Sequence, residues 1–174
     1  MSIDLASAGK VVTVVANDTD ILVLLIFHLK PSMADVFLLS SPTGKSRKRK
    51  LVRIRDIQQH IGDVAVQQLP VLHAISGCDT TSALYGHGNI SAYKKIVSKS
   101  DSAEPIDIMN SDCVTQDDVA KAGSKLLVML YNGKVNDKLD SLRHSAYMSM
   151  CLTGTSRPTQ KDYCQLNELH INIV

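Results

Sequence analysis

Hydrophobic and polar positions alternate between two regimes along this chain. Lys10–Ala16 (KVVTVVA) is apolar and β-branched, the pattern of a buried parallel strand. Asn17-Asp18-Thr19-Asp20 ends it. Ile21–Leu29 follows as a short apolar helix, with Asp18 or Thr19 available as its N-cap. Pro31 and Ser32 close that unit. Ala34–Leu39 reads as a second strand, Ser40–Lys50 as a polar turn, and Leu51–Ile54 as the return strand of a hairpin. Asp56–Ile61 and Val64–Ile75 have helical spacing. The second is interrupted at Pro70, which is tolerable if Val71 starts a new helix.

A glycine-rich stretch comes next, and then Ile90–Val97 as a helix and Lys99–Pro105 as a linker. Thr115 caps a helix that carries Asp117 and Asp118 in its first turn, runs through Tyr131 and stops at Asn132-Gly133. Asp137–Cys151 is a last amphipathic helix. Residues 152–174 are polar and aperiodic, the pattern of a loose tail. A strand, a helix and a strand followed by helices predict an α/β fold with a helical C-terminal half.

At 174 residues and 44% hydrophobic content, the chain can bury the core of one domain, or of one domain with a tail. With two Phe, five Tyr and no Trp, it lacks the rings that a base-stacking platform needs. The net charge of +2 says little, but its distribution says more. Lys45, Arg47, Lys48, Arg49, Lys50, Arg53 and Arg55 place seven of nineteen basic residues within eleven positions, with no acid among them. The run at 45–50 reads as a nuclear-localisation-like string, a DNA-backbone contact at a hairpin tip, or a solvated turn. Cys78, Cys113, Cys151 and Cys164 show no C-x-x-C spacing, which argues against zinc. The six histidines suggest no metal pair. The first ten residues lack an apolar segment, and Ile21–Leu29 is too short to span a bilayer. The expectation is an intracellular protein with reduced thiols, with the nucleus favoured and no membrane partner.

Candidate chemistry gathers at two places. Asp18-x-Asp20 lies at the carboxyl end of the first strand, the edge where open α/β sheets bind ligands. Two carboxylates there would hold a hard divalent cation, or Asp18 would cap the helix while Asp20 is solvated in its first turn. Between Ser76 and Asn89, Asp79 leaves an apolar run, and Gly86-His87-Gly88 opens a helix whose free amides can hold a phosphate. A turn acid and two loop glycines are the plainer reading.

Residues 77–96 (GCDTTSALYGHGNISAYKKI) resemble the helix–turn–helix of the flap-endonuclease superfamily, with Gly77, Cys78, Asp79, Leu84, Gly86, Gly88, Ala92 and Ile96 in register. Ala16–Leu22 (ANDTDIL) is similar to that family's strand end, and the likeness covers roughly residues 10–100. The chain also resembles transposon-associated invertebrate proteins that carry this domain, and Leu130-Tyr131 and Leu139–Arg143 look like that group's continuation. The resemblance implies a partial PIN-like parallel sheet with a β-hairpin, followed by a helix–turn–helix and further helices. On that basis residues 1–100 form the partial PIN-like domain, 101–151 its helical extension and 152–174 the tail. It also implies that Asp18, Asp20 and Asp79 bind Mg2+ or Mn2+ as catalytic acids of a phosphodiesterase. Gly86, His87, Gly88, Lys94 and Lys95 would touch the backbone of duplex or branched DNA, with K+ at the turn.

The resemblance implies a site that draws further acids from upstream, among them a pair on a helix before the D-x-D strand, and a helical arch with Lys and Arg residues that is not found in this sequence. Here Ile3–Ala8 reads as the last turn of the preceding helix, Asp4 is the one acid before Asp18, and Asn17 stands where the motif has an acid. The expected function is a Mg-dependent, structure-specific, nuclease-like domain that is truncated or inactive and retains duplex-backbone binding. The alternatives are a non-catalytic nucleic-acid-binding or scaffold module and a haloacid-dehalogenase-type phosphatase. The last also ends a strand in D-x-D, but position 22 is Leu22 and no later Gly-Asp-x-x-x-Asp occurs.

Overall fold

In a computed structural model the chain is α/β and mostly helical, and the structure describes residues 1–42, 48–78, 89–97, 99–134 and 136–153. It divides into two compact units, Met1–Pro70 and Val71–Val174.

The first unit opens with helix α1 (Ser2–Ser7), which buries Ala6. Strand β1 (Val12–Val15), helix α2 (Thr19–His28), strand β2 (Val36–Ser40), strand β3 (Lys50–Arg53) and helix α3 (Ile54–Ile61) follow. The sheet order is β1-β2-β3. β1 and β2 are parallel, with Val12 opposite Val36 and Val15 opposite Leu39, while β2 and β3 are antiparallel. The predicted hairpin therefore forms, although the tip at 43–47 lies outside the described residues. Ala6, Leu25, Ile26, Leu29, Val36, Leu38, Ile54 and Val66 make the core. Gln58 fastens the end of α2 by donating from Nε2 to the carbonyls of Ile26 and Leu29, each at 2.7 Å. These carbonyls belong to the last turn, where the helix has no amide to offer them.

β1 corrects an expectation. A run of β-branched residues predicts burial on both faces, but burial alternates along the strand, and Val11 and Val15 are 68% and 65% exposed. The core helices cover the face of Val12 and Val14 alone, so a parallel neighbour on one side does not bury the whole strand.

Helix α4 (Asp63–Ser76) is a second correction, because it runs unbroken through Pro70. The ring removes one amide hydrogen bond at a cost of about 3 kcal/mol. Buried Ala65, Val66 and Gln68 before it and Val71 and Leu72 after it hold the helix on both sides. Gly77 then ends it at a φ of 107°, a conformation that favours glycine.

In the second unit, helix α5 (Asn89–Val97), a 3₁₀ turn (Ser100–Ser102) and helices α6 (Ala103–Met109), α7 (Gln116–Leu130) and α8 (Leu139–Thr153) follow. Their core is Val71, Leu72, Ala92, Ile96, Ile106, Leu126, Leu127 and Leu130. The expected linker at Lys99–Pro105 is instead the 3₁₀ turn and the start of α6. The buried Ser102 hydroxyl donates to the carbonyls of Ile96 and Lys99 at 3.0 and 2.7 Å. Pro105 sits in the first turn of α6, where its missing N–H costs nothing.

α7 starts and stops where its sequence signals place it. Thr115 accepts from the Asp118 amide, and the Asp118 carboxylate accepts from the Thr115 amide, which completes a capping box. At the other end Asn132 takes a φ of 58°, its amide donates to Met129 O at 3.0 Å, and the Gly133 amide donates to Val128 O at 2.9 Å. This is a Schellman closure with asparagine in the left-handed position. Residues 154–174, with nearly all of the expected tail, lie outside the described residues. No helix among the described residues is long and apolar enough to cross a membrane.

Candidate nucleic-acid interface

The carboxyl ends of β1 and β2 lie side by side because the strands are parallel and in register. The Ala16 amide donates to Leu39 O at 3.1 Å, continuing the ladder one residue past β1. Asn17 then bridges the two exits, its Oδ1 accepting from the Ser41 amide at 2.7 Å. Asp18 follows in extended conformation as the N-cap of α2, with Oδ1 accepting from the Asp20 amide at 2.9 Å. The plainer reading of Asp18 is therefore its observed local role. Asp18 remains exposed, and Asp20 is half-buried in the first turn of the same helix. Two carboxylates thus share one strand end and one helix start.

The second unit carries the lysines singled out from the sequence. Lys94 is exposed on α5. Lys95 is half-buried, and its ammonium donates to Leu130 O at 3.0 Å. Lys99 does the same to Met129 O at 3.2 Å. Two ammonium groups thus serve the carbonyl end of α7, where the helix dipole favours positive charge. Asp79, Gly86, His87 and Gly88 lie outside the described residues, as does the K+ site implied at that turn. Among the described residues, no group of three or more His, Cys, Asp or Glu is placed to hold a metal ion.

Compared with protein-family models, curated proteins and solved structures, the chain matches none.

Several arrangements escaped sequence reasoning. Arg53 and Arg55, counted with the basic run, converge on Asp35 at 2.7 and 3.1 Å and hold its carboxyl below the usual carboxylate range. Their spacing gave no hint, because Asp35 is the residue before β2. Lys48, Arg49 and Lys50 are exposed at the hairpin. Lys99, Asp101, Glu104, Lys125, Met129 and Lys134 line a cleft of about 470 Å³, with Lys125 and Glu104 paired at 3.1 Å across it. Its residues come from two stretches separate in sequence, 99–104 and 125–134, so no motif could reveal it. The segments holding Tyr131 and Arg143 do meet. Burial pushes the Tyr131 phenol up, and the neighbouring Arg143 guanidinium opposes that shift.

Proposed function

We propose that this chain is a flap-endonuclease-like module that grips the backbone of duplex or branched DNA without reading its sequence. It holds a divalent cation weakly at the exit of β1. The observation that carries the reading is the pairing of Asp18 and Asp20 at the carboxyl end of a parallel strand, with Asp18 open to solvent. Hard oxygen donors of this kind suit Mg2+ or Mn2+. One Asp18 oxygen is engaged by the helix cap, so the pair offers few protein ligands, and water would complete the cation's shell. A cation bound there would supply charge stabilisation at a phosphate oxygen. The resemblance adds Asp79 as a further ligand, and Gly86, His87 and Gly88 as amide contacts to phosphate. Lys94, exposed on α5, adds a salt-sensitive phosphate contact, whereas Lys95 is engaged at the end of α7.

One observation favours a non-catalytic form of this module. Asn17 is neutral where the family's motif carries an acid, and its amide oxygen is engaged by Ser41. A nuclease-competent set of ligands needs more negative charge at this edge.

The test is incubation with flap and nicked duplexes in Mg2+ and Mn2+, following binding and cleavage together. The expected result is binding without cleavage by the chain. Cleavage lost in Asp18→Asn would make the module an active nuclease. Absence of binding to any duplex at low salt would overturn the reading. Hydrolysis of a small phosphate ester, lost in Asp18→Ala and indifferent to Gly86→Val, would indicate a phosphatase instead.

A further inference from the structure

We draw no further inference here: the strongest candidate, the apolar row of Val15, Leu39 and Leu51 across the face of the sheet opposite the core, carries nothing because nothing in the structure shows what covers it.

Discussion

The Asn17 side chain accepts a 2.7 Å hydrogen bond from the Ser41 backbone amide, tying together the carboxyl ends of two parallel strands twenty-four residues apart in sequence. The bond fixes the backbone from which Asp18 and Asp20 project. It also gives a structural use to a residue that, by resemblance, stands where an acid belongs.

Asn17→Asp keeps an acceptor for the Ser41 amide and adds a negative charge beside Asp18 and Asp20. It should raise Mn2+ affinity several-fold with little change in thermal midpoint. Asn17→Ala loses the bridge and should cost about 1 kcal/mol, the usual net worth of one hydrogen bond. Isothermal titration with Mn2+ and urea unfolding of both variants check this. Equal Mn2+ affinity in wild type and Asn17→Asp would remove this edge from consideration as a cation site.

Asp18 caps α2 and is proposed to hold a cation, and substitution can separate the two roles. Asp18→Ser retains a capping oxygen and removes the charge, so it should fold with near wild-type stability and lose Mn2+ binding. Asp18→Ala should also lose about 1 kcal/mol, the typical cost of an N-cap. Urea midpoints and metal titrations measured on the same preparations give the comparison.

Two carboxylates contribute to the fold's sensitivity to acid. Hydrogen bonds from Arg53 and Arg55 hold the Asp35 carboxyl below its usual range, and hydrogen bonds with Thr115 do the same for Asp118. A carboxylate depressed in the folded state stabilises the fold at pH values above its unfolded pKa. That contribution declines as pH falls through the unfolded and then the folded value, so stability should drop below about pH 4. Asp35→Asn should be less stable than wild type at pH 7 and should lose less on acidification. Thermal unfolding between neutral and acid pH reads both effects.

Gly133 is required for space. A Cβ at this position would run into Leu142 Cδ1 and crowd Val128 Cγ1, while the left-handed conformation of the turn falls on Asn132. Gly133→Ala should destabilise by about 1–3 kcal/mol, as overpacking does. Leu142→Ala in the same chain should lower the penalty of Gly133→Ala, a coupling that a double-mutant cycle on unfolding free energies measures.

Local chemistry explains which parts of this molecule could be read from its sequence. The Asp18 cap, the Thr115–Asp118 box and the Asn132-Gly133 stop each act within five residues, so their signals are intact in the chain. The β2–β3 hairpin was legible from two apolar runs around a polar turn. Pro70 misled because a proline's cost is local, whereas the burial that offsets it is tertiary. Ser102 misled because its polarity suggests a linker, while its hydroxyl is satisfied by carbonyls on the preceding turn. The exposure of Val15 was hidden because β-branched residues look alike at a core face and at a bare one. At the candidate site, Asp18 and Asp20 were legible as a pair at a strand end. The engagement of Lys95 by Leu130 was not, since it joins residues thirty-five apart.

The most direct measurement of the DNA reading is the anisotropy of labelled nicked and flap duplexes of unrelated sequence across a salt series. The affinity should be the same for each sequence and should fall linearly with the logarithm of salt. Lys94→Gln should flatten that slope by about one ion. Affinity that depends on base sequence, or an absence of binding at low salt, would contradict the assignment.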